Sequence, residues 1–393
     1  MGIYYESYPN VSEWYASFVA FNESRDGKLP LADLTNSDIK LLNTIASVLL
    51  MFAMGLASDV NVFLKVIKNI PLCITGALTQ FIIMPLIGIA FLQIFQFHQL
   101  EALAIFLFMS SPGGGNSNLM AFYMDLNLEL SLTLTTLTTI LALGFMPAFM
   151  ELLPFLVDIG DNEDLLKIPF DAIGENLGIL CGALIGAMII SYWKQELAAK
   201  ASKIITPIVY PYVICCSVIS LLKFFPFGVM TKNILIFAFL NGPIGGLFSY
   251  IVSYPLGLAS NKLQARKSKL AKCCGSDEKV TWRDFHTIAI ETGNQNAVVS
   301  QLIMLSAYTS ETPSLMETYY LGFIVPFPIF MVLIGQAETI FILLTFFVTK
   351  FFKNRGKIES SEKLKKFEDL ESQKKMEEKG QDNLAFDNDE THF

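Results

Sequence analysis

Glu291, Thr292, Gly293, Asn294, Gln295 and Asn296 run consecutively through the apolar stretch 282–310. One carboxylate, three amides, a hydroxyl and a glycine sit where hydrocarbon-facing side chains are expected. A charged side chain near mid-span costs about 2.5–3.5 kcal/mol on insertion scales, so such residues are rare and mark ion or substrate paths. The chemistry on offer is oxygen coordination, which suits a small hard cation. More oxygens lie elsewhere in the chain. Ser117 and Asn118 close a second polar interruption, Pro112-Gly113-Gly114-Gly115-Asn116-Ser117-Asn118. Ser131 and Thr135 are four apart and share one helix face. Gln295 follows Glu291 by four residues, and Gln80 lies mid-way along an apolar run ahead of Met84-Pro85.

Each of these residues has a plainer use. Serine and threonine hydroxyls bond back to their own helix or let helices pack closely. Thr133, Thr136, Thr138 and Thr139 stand beside Ser131 and Thr135, so the choice among hydroxyls stays open. Gln80 could be inter-helical glue, and Glu291 a protonated carboxyl bonded to its neighbours.

Other chemistries find little support. His98, His286 and His392 lie at loop edges or in the tail with no partner group recognisable, so the chain does not read as an enzyme. Of six cysteines, Cys73, Cys181, Cys215 and Cys216 fall in apolar runs and read as small core residues. Cys273 and Cys274 fall in a basic loop and could be acylated. No spacing suggests zinc or a disulfide framework, and no cofactor is implied. The net charge of −8 is segregated by loop and tail and gives no support for nucleic-acid binding.

The elements that must carry these residues are membrane helices. The chain has 393 residues, 53% of them hydrophobic and 16% charged, with a mean hydropathy of +0.48. Crossing the hydrocarbon takes about 20 apolar residues. Nine runs suffice, near 39–58, 71–97, 101–123, 128–155, 170–193, 203–223, 229–257, 284–309 and 318–349. The expected fold class is an all-α polytopic membrane protein. Residues 1–38 read as an extracellular tail, 39–350 as the transmembrane domain and 351–393 as a disordered cytoplasmic tail.

Lysine and arginine set the orientation. Lys65, Lys68, Lys194, Lys200, Lys203, Lys262, Arg266 and Lys350 collect on one side, and the loop near 156–168 on the other side is acidic. The positive-inside bias puts the N-terminus outside. Glycosylation acceptors at Asn10 and Asn22 agree. The terminal Thr391-His392-Phe393 would suit a groove on a tail adaptor.

Proline and three glycines make a continuous helix through 112–115 unlikely on physical grounds. Non-helical backbone inside a membrane must be buried in protein or face water. The third run, broken there, points inward; the eighth, broken around Gly293, points outward. Paired discontinuous helices of opposite direction are the sequence signature of a secondary transporter's binding site, built as an inverted repeat.

Three blocks resemble the bile acid:sodium symporter family, animal branch. They are Pro112-Gly113-Gly114 with Ser117-Asn118, Glu291-Thr292-Gly293-x-Gln295-Asn296, and Gln80-Phe81 with Met84-Pro85; Ala142-Leu143-Gly144 with Met146-Pro147 also fits. The resemblance runs from about residue 40 to 350. It implies core and panel domains, with two discontinuous helices crossing in the core. It implies two sodium ions as co-substrate. One would be held by Ser117, Asn118, Ser131, Thr135 and Glu291. The other would be held by Gln80, Glu291 and Gln295 with the carbonyls of Thr292 and Asn294. The solute, an amphipathic organic anion such as a bile acid or sulfated steroid, would sit near Gly115, Asn116 and Asn296. Gly115 stands where relatives often carry threonine or asparagine, and Asn294 where many carry methionine. The alternative is a membrane receptor or sensor of the same fold that does not transport.

Overall fold

A computed structural model of the chain describes residues 3–4, 34–95, 97, 99–156, 168–224, 229–265, 280–308, 327–335 and 337–350. The tails with Asn10, Asn22 and Thr391–Phe393, the acidic loop, Cys273, Cys274, His98 and His392 lie outside the described residues. Two compact units result, Met1–Thr339 and Ile340–Phe393. The first holds the whole of the site; the described part of the second, 340–350, is helical. Among the described residues the strands are a two-residue parallel pair, β1 (Ile3–Tyr4) with β2 (Val229–Met230).

Helix α1 (Asn36–Ala57) starts on a reciprocal cap between Thr35 and Asp38, which satisfies donors that a helix start leaves free. After the short α2 (Val60–Ile67) comes one rod in three parts: α3 (Ile70–Leu78), a π-helical turn over Thr79–Ile83, and α4 (Met84–Ile94). Pro85 explains the wide turn. It has no N–H to close a normal turn on Phe81, and the Met84 N–H bonds the Thr79 carbonyl five residues back.

The expected third run is split into α5 (Gln99–Met109) and α6 (Gly115–Tyr123). The break is narrower than the motif suggests: Gly115, Asn116, Ser117 and Asn118 already belong to the first turn of α6. Then follow α7 (Leu128–Met150), the single turn α8 (Leu153–Leu156) and α9 (Phe170–Trp193). The loop expected over 194–202 is instead helical, because α10 (Gln195–Phe224) begins two residues after α9 ends. Next is α11 (Lys232–Ala265). The expected eighth run is split into α12 (Trp282–Gly293) and α13 (Ala297–Tyr308). The last apolar segment is Phe327–Lys350.

Among the described residues, seven helices are long and apolar enough to cross a membrane. The α5/α6 and α12/α13 halves are each about half the length that a span needs. The chain is therefore a multi-pass, all-helical membrane protein. Its exposure pattern fits lipid: Leu41, Ile74, Leu86 and Ile204 are exposed, while Ser47, Gln80, Thr135, Ser217 and Gln301 are buried. Buried polar groups with apolar side chains outside reverse the soluble pattern. Cys73, Cys181 and Cys216 are buried as expected, but Cys215 is exposed on α10.

The closest helix packing falls in two groups, and α9 also packs on α7 and α13. α1 lies against α9 and α10; α11 lies against α12, and α7 touches α6 and α12. Gly242, Gly246 and Gly293 let α11 and α12 approach closely, since a Cβ on Gly293 would come within 2.8 Å of the Gly242 carbonyl.

Candidate cation and solute site

The two breaks cross as extended strands. The Gly114 N–H donates to the Asn294 carbonyl at 2.7 Å, and the Asn296 N–H donates to the Pro112 carbonyl at 2.9 Å. Gly113 and Gln295 thus form an antiparallel bridge. The crossing satisfies backbone groups that the missing helical turns leave open. It also demands glycine: a Cβ on Gly113 would collide with Glu291 Oε1.

Glu291 is 2% exposed and stands at this crossing. Ser131 Oγ donates to its Oε2 at 2.8 Å, and Thr135 Oγ1 donates to its Oε1. The shared face of Ser131 and Thr135 is therefore aimed at the carboxylate. Ser117 reaches the same carboxylate and also donates to the Gly114 carbonyl at 2.6 Å. Asn118 Oδ1 lies 3.5 Å from Thr135 Oγ1, and its Nδ2 is buried without a partner. A half-turn of that amide would place its oxygen there instead. All five residues expected at the first cation position are together.

Asn127 fixes α12 against α7. Its side chain caps α7 by accepting from the Leu130 N–H at 3.0 Å and donates to Asp284 Oδ1 at 2.6 Å. Its own N–H donates to Thr287 Oγ1 at 3.1 Å. The ladder holds the start of α12 in register with the start of α7, so Glu291 meets Ser131 and Thr135.

The second group is amide chemistry. Gln80, on the π-helical turn, donates through Nε2 to Gln295 Oε1 at 2.7 Å and to the Ser111 carbonyl at 2.8 Å. Gln295 Nε2 donates to the Thr292 carbonyl at 2.9 Å. Gln80 Oε1 is buried with no hydrogen-bond partner. Gln295 arrives here from the extended break, not from a helical face four residues beyond Glu291, because α12 ends at Gly293. The Asn294 carbonyl is taken by Gly114, and the Thr292 hydroxyl bonds Thr79 at 2.9 Å and Ser249 at 3.1 Å.

Gly115, Asn116 and Asn296 line one narrow cavity of about 40 Å³ beside the crossing, with Tyr210, Asn241 and Glu338. Asn296 Nδ2 is buried without a partner. A wider cavity of about 520 Å³, with Asp59, Asn118, Phe122, Leu132, Lys203 and Tyr210 in its wall, adjoins it at Leu50 and Tyr210. That volume falls within the range of about 300–1,000 Å³ typical of small-molecule sites.

Sequence reasoning missed several residues here. Tyr210 donates to the Gly115 carbonyl at 2.6 Å, and a Cβ on Gly115 would come within 2.6 Å of its hydroxyl. The tyrosine occupies the space that a larger residue at 115 would need. Ser111 directly precedes the Pro112 motif, and Thr138 receives a long 3.4 Å contact from the Gly113 N–H. Glu338 was detectable by the rule that singles out Glu291, as a carboxylate within the apolar segment Phe327–Lys350.

Comparison with known proteins reaches two of the three blocks through the family model, which ends before the Glu291–Asn296 block. The model of the Sodium Bile acid symporter family matches residues 44–227, a range that holds Gln80, the first break and α7. The ileal sodium/bile acid cotransporter of Homo sapiens is 28% identical over 296 residues, covering 74% of this chain and 77% of that protein. Its Oryctolagus cuniculus counterpart is 29% identical over 284 residues, covering 71% and 74%. The sodium-dependent organic anion transporter of Bos taurus is 24% identical over 319 residues, covering 79% and 76%. By these matches the chain is similar to proteins of the sodium bile acid symporter family.

Proposed function

We propose that the protein is a sodium-coupled symporter of an amphipathic organic anion, of bile-acid or sulfated-steroid type, working by alternating access. The carrying observation is Glu291: a buried carboxylate at the crossing of two broken helices, met by hydroxyls from a third helix. The relatives named as sodium-dependent transporters of bile acids and organic anions support the same direction.

In this reading one sodium ion enters among Ser117, Asn118, Ser131, Thr135 and Glu291. A second enters beside Gln80, Glu291 and Gln295, with the carbonyls of Thr292 and Asn294. The unpartnered Gln80 Oε1 supports a cation there, because a buried oxygen without a donor is costly. Two cations against one carboxylate leave a positive site, aided by half-helix ends, that favours an anionic solute nearby. Net inward movement of positive charge draws about 2.3 kcal/mol per charge per 100 mV from the membrane potential.

Nine crossings of the plasma membrane result when each broken pair counts as one span. The N-terminus is then outside, with glycans on Asn10 and Asn22, and the C-terminus is inside. α1, α9 and α10 form the panel that rocks against the remaining helices, and the two halves are inverted repeats. The solute occupies the wide cavity and reaches Gly115, Asn116 and Asn296. Uptake of radiolabelled taurocholate or estrone sulfate in sodium against choline medium tests the coupling. Sodium should stimulate uptake and Glu291→Ala should remove the stimulation; sodium-independent uptake, or full activity in Glu291→Ala, would overturn it.

A further inference from the structure

Glu338 stands mid-way along the last apolar segment, Phe327–Lys350, and belongs to neither proposed sodium site. A carboxylate at that depth calls for a partner. Among the described residues no hydrogen bond or ion pair engages it, and no lysine, arginine or histidine lines the narrow cavity in whose wall it stands. What surrounds it is oxygen. One point, where a Cβ on Gly242 would lie, is 3.2 Å from Glu338 Oε2 and 3.2 Å from the Gly293 carbonyl oxygen. Glycine at 242 therefore leaves a cradle between a carboxylate and a carbonyl. Asn241 lines the same cavity. Its Nδ2 donates to the Phe237 and Ala238 carbonyls at 3.0 and 2.8 Å, so Oδ1 is the atom left for a ligand.

The Gly293 carbonyl adds more than an oxygen. It closes α12, and the C-terminal end of a half-helix carries partial negative charge. Two negative groups facing one cradle repel each other unless a positive charge lies between them. Half-helix C-terminal carbonyls coordinate cations in this way in transporters with broken helices. A single carboxylate among neutral oxygens balances one charge, so the ion is monovalent, and hard oxygen ligands suit sodium. A cavity of about 40 Å³ holds such an ion and a water or two. Glu291 meets Ser131 and Thr135 of α7, whereas Gly293 packs on Gly242 and Gly246 of α11, so the two carboxylates serve different sides of the end of α12.

We propose that Glu338, the Gly293 carbonyl and Asn241 Oδ1 form a third monovalent-cation site, filled by sodium and distinct from the pair of sites that share Glu291. The inference goes beyond the two-ion symport reading and rests on it only for the choice of sodium. An ion held there also removes the like charge that an anionic solute in the adjoining cavity would otherwise meet.

Equilibrium binding of radioactive sodium to the purified full chain, without solute, is the test. The parent chain should saturate at three ions. Glu338→Gln, which keeps the shape and removes the charge, should saturate at two. Gly242→Ala, whose methyl fills the cradle, should also stop at two, and Glu338→Asp should keep the third ion at weaker affinity. Glu291→Gln, which weakens the other pair, should leave one ion that the double variant with Glu338→Gln loses. A parent that saturates at two ions, with Glu338→Gln unchanged, would overturn the inference and leave Glu338 a protonated carboxyl donating to the Gly293 carbonyl. Loss of all bound sodium in Glu338→Gln, with a melting temperature in sodium-free buffer equal to the parent's, would overturn it as well. Should Glu338→Gln fail to fold, Gly242→Ala and Glu338→Asp decide: three ions in the first, or none of the third in the second, would sink the site. Failure of the two-ion reading looks different, as a parent that binds one ion, lost in Glu338→Gln and kept in Glu291→Gln.

Discussion

The two oxygen clusters at the crossing are built differently. Around Glu291 a carboxylate is met by hydroxyl groups from α6 and α7, and both carboxylate oxygens are engaged. Around Gln80 two neutral amides spend themselves on each other and on backbone, and one oxygen is left over. The first cluster is pre-formed, since a cation need only take the place of hydroxyl protons that can rotate away. The second must be rearranged, because the Gln80–Gln295 bond competes for the oxygen that a cation would use. Charge and preorganisation therefore sit in one half, and adaptability in the other.

The sharpest way to break this contrast is to neutralise each half in turn. Glu291→Gln keeps the shape and removes the charge. Hydrogen bonds to a charged group contribute about 1.5–3 kcal/mol each, so apparent sodium affinity should fall by roughly 100-fold or more. Gln80→Ala should cost about tenfold on the same scale and flatten the sodium dependence of uptake towards a single-ion curve. Sodium titrations of uptake read both, and equal losses would erase the distinction.

Packing offers a second comparison. Gly113→Ala drives a methyl into Glu291, whereas Gly115→Ala drives one into the Tyr210 hydroxyl. Overpacking of this kind costs about 1–3 kcal/mol. Both variants should lower the melting temperature of the purified protein, but only Gly113→Ala should also weaken sodium binding. Tyr210→Phe should relieve Gly115→Ala and leave Gly113→Ala unchanged.

The smallest effects separate a short bond from a long one. Ser131→Ala removes a 2.8 Å bond to the carboxylate and should reduce sodium affinity by roughly tenfold. Thr138→Val removes a 3.4 Å contact to the Gly113 N–H, at the weak end of hydrogen-bond geometry, and should change sodium affinity by less than about twofold. A larger loss in Thr138→Val would mean that the crossing backbone, and not the carboxylate, governs affinity.

Much of this site was legible because membrane burial penalises polarity so heavily. Glu291, Gln80 and the Pro112–Gly114 break stood out against apolar surroundings, and helical spacing put Ser131 and Thr135 on one face. What spacing could not reveal is where helices stop. Gln295 looked like a helical neighbour of Glu291, yet α12 ends at Gly293 and the residue reaches Gln80 from extended chain. Tyr210 was hidden for another reason: its contact with Gly115 spans 95 residues of sequence and obeys no local period. The loop expected before the sixth span failed because the polar residues after Lys194 continue as an amphipathic helical extension.

The Tyr210–Gly115 bond ties a helix of the α1, α9, α10 set to the first turn of α6. If those sets separate during a cycle, each passage has to open this one contact and close it again. A bond of about 0.5–1.5 kcal/mol weights the resting population by roughly two- to twelvefold towards the closed arrangement. Tyr210→Phe would then act as a change in dwell time, speeding the return of the empty carrier while leaving every proposed sodium ligand in place.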